Sequence, residues 1–295
     1  MVHFPVSGVE VNPLLPLLVA FAVSALTAPA GVSGAFLLLP FQVSVLGFTS
    51  PAVSPTNLVY NIFATPGGVY RYVREGRVVW PLAWAVILGT LPGAFAGALL
   101  RVTVLADPRA FEVFVGFVLL YFGVRLLYEV LGRRRSSAGE GTTAGRSSVR
   151  IVGVSPLRVE YEYGGKSYAF GTPAVFALSV VVGVIGGIYS IGGGSIIAPF
   201  LVTVFGLPVY TIAGATLIGT FVTSAAGVAF YELLAGTGFG GSATIAPDWL
   251  LGLSLGVGGL AGTYAGARLQ RYVPERLIRG VLGTLVTLLA IRYII

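Results

Sequence analysis

An otherwise apolar stretch of the chain is interrupted by a run of glycine and serine, Ser190-Ile-Gly-Gly-Gly-Ser195. Glycine lets a ligand or another backbone approach closely. A helix that begins after the run presents unpaired N–H groups and about half a positive charge, which suits an anion. The residues expected to contribute are Ser190, Gly192, Gly193, Gly194 and Ser195. Close packing between helices is the alternative explanation of the run.

A similar break occurs earlier in the chain and ends in Ser33-Gly34. If short helices begin after both breaks and approach from opposite sides of a membrane, their N-termini form an anion site near the midplane without arginine or lysine. Helix packing by small residues is again the alternative.

Two pairs of polar residues follow the breaks at the same spacing, Asn57 with Asn61 and Thr216 with Thr220. Because residues four apart share one face of a helix, each pair is expected to face a cavity that holds the substrate. Hydrogen bonding between helices is the alternative role. Weaker candidates of the same kind are Gln42, Thr56 and Thr223.

Residues for covalent or metal chemistry are scarce. The chain has no cysteine and a single histidine, His3, which argues against thiol chemistry and zinc sites. It has no HExxH or Walker A pattern and no nucleophile–base pair, so we expect no enzyme activity, no metal and no cofactor. The net charge of +7 fits basic cytoplasmic loops, and no nucleic-acid partner is expected.

Membrane helices are the elements that would position these residues. The 295 residues are 56% hydrophobic and 10% charged, whereas soluble domains are about 25% charged. Several apolar stretches can cross about 30 Å of hydrocarbon at about 1.5 Å per residue. The stretches fall at 12–47, 50–70, 79–105, 110–131, 172–206, 209–234, 247–270 and 277–295. We therefore predict an all-α polytopic protein of the cell membrane.

A polar interruption at residues 132–171 divides the apolar stretches into two groups. Near its end, polar and apolar residues alternate around Gly164-Gly165, which predicts a β-hairpin at about 157–170. The predicted domains are a first membrane repeat at 1–131, a linker at 132–171 and a second membrane repeat at 172–295.

The two groups are related in sequence. At a shift of 159 positions, the residues Gly34, Pro40, Phe41 and Gly47 coincide with Gly193, Pro199, Phe200 and Gly206. The polar pairs coincide at the same shift, and a shift of 169 then pairs Trp80 with Trp249. Ordered matches at glycine, proline and tryptophan predict an internal repeat.

The arginine-rich loops change place between the repeats, from 71–77 in the first to 268–279 in the second. Positive charge marks the cytoplasmic side, so the repeats are predicted to have inverted topology. Each repeat then crosses the membrane an odd number of times. A broken, re-entrant first segment plus three transmembrane helices gives this count, and two full crossings within the broken segment are the alternative. The re-entrant arrangement places the linker inside and both termini outside, with Arg101 and Arg109 as exceptions.

Glycines four residues apart, at 89, 93 and 97 and at 258, 262 and 266, predict helix-packing faces. Faces of this kind also allow a homodimer. The other expected partners are a small anionic solute and the lipid bilayer.

These motifs resemble the TauE/SafE sulfite exporter family. The second half carries its glycine-rich stretch, proline and apolar run as Ser190-Ile-Gly-Gly-Gly-Ser-Ile-Ile-Ala-Pro199-Phe-Leu. Further matches are Gly214-Ala-Thr-Leu217, Asp248-Trp249 and Gly258-Gly-Leu-Ala-Gly262-Thr-Tyr-Ala-Gly266. The first half departs, with Ala28-Pro-Ala-Gly-Val-Ser-Gly34 where a triple glycine would stand. The resemblance implies export of small anions, chiefly sulfite and organosulfonates.

The leading hypothesis is a secondary transporter of a small oxoanion that works by alternating access. A passive anion channel would share the same site. A membrane scaffold that binds a partner through the linker 132–171 is the alternative from another functional class.

Overall fold

The computed structural model of the protein describes residues 1–28, 33–131, 149–238, 244–269 and 275–295. The helices are α1 (Leu14–Thr27), α2 (Ala35–Ser44), α3 (Val53–Ala64), α4 (Pro66–Arg74), α5 (Trp80–Thr103), α6 (Pro108–Leu131), α7 (Thr172–Tyr189), α8 (Gly193–Thr203), α9 (Val209–Gly236), α10 (Trp249–Leu269) and α11 (Glu275–Ile294). The strands are β1 (Val2–His3), β2 (Glu10–Val11), β3 (Arg150–Val154), β4 (Arg158–Tyr163) and β5 (Lys166–Gly171).

The prediction of an all-α polytopic membrane protein is confirmed. Within the described residues, α5, α6, α7, α9 and α11 contain stretches long and apolar enough to cross a bilayer. A helix satisfies its backbone hydrogen bonds internally, which is why apolar stretches of this length adopt it in lipid.

Both predicted breaks separate two helices. The first lies between α1 and α2, and part of it, 29–32, is outside the described residues. The second lies between α7 and α8. The helices α2 and α8 have 10 and 11 residues, about half a membrane crossing at 1.5 Å per residue. By contrast α7 has 18 residues and is itself long enough to cross a bilayer, whereas the predicted re-entrant arrangement requires a shorter helix there.

The described residues form two compact units, and neither unit coincides with one half of the sequence. The first unit comprises described residues of Met1–Ala64, Leu99–Arg134 and Val228–Ile295, and the second those of Thr65–Ala98 and Arg135–Gly227. Each unit thus takes helices from both halves.

In the first unit, α10 packs closely on α1. A Cβ atom added at Gly258, Gly262 or Gly266 would collide with the backbone carbonyl oxygens of α1. Glycine at every fourth position lets the two backbones approach, as the packing prediction requires. In the same unit, α6 packs on α11 through Leu126, Ile278 and Leu282.

In the second unit, α5 packs on α7 in the corresponding way. A Cβ atom at Gly93 or Gly97 would collide with the carbonyl oxygens of Val180 and Val184. Both glycine faces are therefore covered by helices of the same chain. These two faces are not available for a homodimer contact, because helices of the same chain already occupy them.

A three-stranded antiparallel sheet precedes α7 in the second unit. β4 and β5 are joined by Gly164-Gly165, whose φ angles of 60° and 76° suit a tight two-residue turn. The Tyr161 hydroxyl lies 2.9 Å from the Thr211 hydroxyl near the start of α9. Burial raises the pKa of Tyr161 from 10.0 to about 12.

Candidate functional site

The break between α7 and α8 is built from unusual backbone conformations. Ser190 ends α7 in the left-handed region at φ 64°, and its N–H donates to the Gly186 carbonyl over 2.7 Å. Gly192 follows at φ 83°, and α8 begins at Gly193. A left-handed serine is uncommon and persists only where its surroundings hold it. Ser190 is completely buried, which supplies that constraint.

The three glycines of the break are closely packed within the second unit. A Cβ atom at Gly192 would lie 2.6 Å from Thr220 Cγ2, and one at Gly193 would lie 2.6 Å from Thr90 Cγ2. A Cβ atom at Gly194 would collide with the Thr216 carbonyl oxygen. The three glycines therefore allow close packing of the break against neighbouring helices, which was the alternative explanation of the run. Any role in binding an anion comes in addition to this packing.

Two of the predicted side chains in the second unit meet at the start of α8. The hydroxyls of Ser195 and Thr220 lie 3.3 Å apart. The Thr216 hydroxyl instead donates to the Ala213 carbonyl of its own helix, at 3.2 Å. The Ser190 hydroxyl lies 3.4 Å from the Gly187 carbonyl. The pair that can present hydroxyls to a ligand is thus Ser195 with Thr220.

A comparable pair forms at the start of α2 in the first unit. The Ser33 hydroxyl accepts the Ala35 N–H at 3.3 Å and lies 3.5 Å from Asn61 Oδ1. Asn61 is completely buried. Gly34 lies directly against α3, since a Cβ atom added there would lie 2.6 Å from the Tyr60 hydroxyl. Asn61 and its sequence counterpart Thr220 therefore each contact a serine beside the start of a short helix.

Asn57 is occupied by protein contacts. Its Nδ2 donates to the Ala35 carbonyl at 3.1 Å, and its Oδ1 accepts from Gln42 Nε2 at 3.2 Å. These bonds hold α2 against α3. Hydrogen bonding between helices, the alternative role foreseen for this residue, is thus present. The weaker candidate Thr56 is likewise engaged, since its hydroxyl donates to the Ala52 carbonyl and accepts the Asp248 N–H.

Two residues of the second unit were missed by sequence reasoning. Thr90 of α5 is buried beside Gly193, and its hydroxyl lies 3.0 Å from that of Thr223. Ser224 Oγ is buried without a hydrogen-bond partner among the described residues. It would lie 3.2 Å from a Cβ atom at Gly192. The one available signal for Thr90 was its position within the glycine face of α5.

The chemistry offered at both breaks is neutral hydrogen bonding. Hydroxyls, an asparagine amide and the first backbone N–H groups of α2 and α8 can bind an anion without a fixed counter-charge. The first set lies in the first unit and the second set in the second unit. Among the described residues, no group of three or more histidine, aspartate or glutamate side chains could hold a metal ion.

Comparison with known proteins adds evolutionary evidence. The sequence model of the family described as Sulfite exporter TauE/SafE matches residues 16–293. A Bacillus subtilis (strain 168) protein described as "Probable membrane transporter protein YunE" is 24% identical over 187 residues. That match covers 60% of this chain and 63% of the relative, which is less than two thirds of the relative's length. No solved structure matches the chain.

Proposed function

Since the chain belongs to the sulfite exporter TauE/SafE family, we propose that it is a secondary transporter that exports a small oxoanion such as sulfite or an organosulfonate. Two inverted repeats, 1–131 and 172–295, alternate access to a site near the midplane. The linker 132–171 is cytoplasmic and both termini lie outside.

One observation in particular supports this proposal. Each short helix begins against a polar side chain at a position matched between the repeats, Asn61 beside Ser33 and Thr220 beside Ser195. Helix N-termini and neutral donors bind anions but hold them without a permanent ion pair. A site of this kind can release its ligand on the opposite side of the membrane.

The test is flux in liposomes that contain the purified protein. Sulfite should enter at a rate that saturates with concentration, and unlabelled sulfite trapped inside should accelerate entry of labelled sulfite. Flux without saturation and without this counterflow would indicate the passive channel instead. If neither sulfite nor a sulfonate moves faster than in empty liposomes, the transport proposal is wrong.

Substitutions at the hydroxyl pair locate the site. Thr220→Val keeps the shape of the side chain but removes one donor, so the KM for sulfite should rise by roughly 3- to 10-fold. Thr203→Val is the matched control, because its hydroxyl donates to Pro199 within α8. Gly193→Leu is unsuitable as a test, since its side chain would overlap Thr90 and disturb folding.

The scaffold alternative makes a different prediction. If the linker bound an essential partner, deletion of residues 136–148 would abolish function in cells. A transporter lacking those residues should retain sulfite flux in liposomes. These residues lie outside the part of the chain that the structure describes.

A further inference from the structure

Arg101 is a completely buried arginine in the last turn of α5. An arginine near the end of a membrane helix normally extends to the polar interface, because burying its charge is costly. Here the side chain turns inward and has no exposed surface. None of the ion pairs among the described residues includes it. Within the described residues, no carboxylate therefore neutralises the buried charge of Arg101.

The guanidinium uses only part of its hydrogen-bonding capacity. Nε donates to the Ser54 hydroxyl at 3.2 Å, and Nη1 donates to the Leu105 carbonyl. The group lies over the Phe111 ring, with Cζ 3.7 Å from the ring centroid. Nη2 is buried and has no hydrogen-bond partner among the described residues. An unpaired buried donor is destabilising, more so on a charged group.

The surroundings of Arg101 connect it to one polar face of α3. Ser54, Asn57 and Asn61 follow one another at spacings of three and four, so they lie on the same side of the helix. All three are completely buried. At 1.5 Å per residue, Ser54 lies about 10 Å along α3 from Asn61. The polar face therefore runs from the break at Ser33 to the Arg101 guanidinium.

We propose that Arg101 and Ser54 form a second binding site for the transported oxoanion, at the opposite end of this polar face from the helix break. The two N–H groups of Nη2 can donate to the oxygens of a sulfite or sulfonate group. Bound anion would supply both the missing charge and the missing acceptor for Nη2. The inference rests on the proposed transport function, which it extends with an entry or exit station.

The competing explanation is a structural one, in which Arg101 only holds the α5–α6 connection through Leu105 and Phe111. The two explanations differ in what a substitution changes. Loss of a structural clip lowers stability and the maximal rate, but not the KM. Loss of an anion site raises the KM.

The experiment compares Arg101→Gln, Arg101→Lys and wild type for saturable sulfite flux in liposomes. Arg101→Gln should raise the KM about tenfold, the effect of one charged hydrogen bond, and Arg101→Lys should raise it less. Arg109→Gln is the matched control, because Arg109 contacts main-chain carbonyls at the chain end and Glu112. Its KM should equal that of wild type.

Ser54→Ala gives a second route if Arg101→Gln does not fold. Without its Nε acceptor the guanidinium is less well oriented, and the KM should rise about threefold at unchanged maximal rate. An unchanged KM in every folded variant, or reduced stability and maximal rate alone, would overturn the second site. Wild type that carries neither sulfite nor a sulfonate would instead refute the transport function on which the site rests.

Discussion

At the break between α7 and α8, the contacts of a single added methyl group determine which substitutions the protein tolerates. Gly193 and Gly194 are adjacent in sequence but face different obstacles. A Cβ atom at Gly193 would meet the side chain of Thr90, at 2.6 Å from Cγ2 and 2.9 Å from Cβ. A Cβ atom at Gly194 would meet the backbone carbonyl of Thr216. A side chain can be shortened by substitution, whereas a backbone oxygen cannot.

This difference predicts a selective rescue. Gly193→Ala should destabilise the protein by about 1–3 kcal/mol through overpacking, and adding Thr90→Ser should restore part of that loss because the nearest methyl group is removed. Gly194→Ala should destabilise it without any rescue by Thr90→Ser. Thermal unfolding in detergent measures both effects, with Thr90→Ser alone as the control. Equal rescue of the two alanine variants would contradict the packing described here.

At the level of helices, the two glycine faces have equivalent partners. The face at 258, 262 and 266 covers α1, and the face at 89, 93 and 97 covers α7. Since α1 and α7 are the first segments of the two halves, each half provides a glycine-faced helix that packs on the first segment of the other. Because of this packing between helices of different halves, each compact unit contains helices from both halves of the sequence.

Substitution within a glycine face should therefore disrupt helix packing. Gly93→Ala places a methyl group against the Val180 carbonyl, and the unfolding temperature should fall with a loss of about 1–3 kcal/mol. Gly280→Ala is the matched control on α11, where the nearest atom to a new Cβ is Val130 Cγ1 at 4.0 Å. Alanine is the better helix former, so Gly280→Ala should be neutral or stabilising. Similar unfolding temperatures for the two variants would refute close packing at Gly93.

The sequence predicted the helices and the breaks well, because apolar length and runs of glycine are local signals. It did not reveal Thr90 or Arg101. Thr90 reaches the second break only because α5 packs with helices of the other half, a contact distant in sequence. Arg101 was interpreted as a loop charge, since the direction in which a terminal arginine points depends on tertiary packing. Asn57 was predicted to face a substrate cavity. It is buried, and its hydrogen bonds to Ala35 and Gln42 could not be inferred from spacing alone.

For the whole molecule, the burial of Arg101 bears on the proposed inverted topology. The positive-inside rule concerns arginines exposed in loops. Arg101 is completely buried and belongs to a helix, so it does not count against an outer location of the α5–α6 connection. Arg109 remains exposed but bonds the carbonyl oxygens of the final residues. The two exceptions to the charge pattern are thus arginines with protein partners.

The absence of cysteine from the sequence makes a direct test of this topology simple. Arg74→Cys places a thiol at the exposed last residue of α4, and Thr237→Cys places one at an exposed position directly after α9. Each position follows the helix that carries the polar pair of its repeat, α3 in the first and α9 in the second. Inverted repeats put these positions on opposite sides of the membrane. A membrane-impermeant maleimide should label Thr237→Cys in intact cells and Arg74→Cys only after permeabilisation, with the cysteine-free parent as the control. Labelling of both from the same side would refute inverted repeats, and with them alternating access between the two halves.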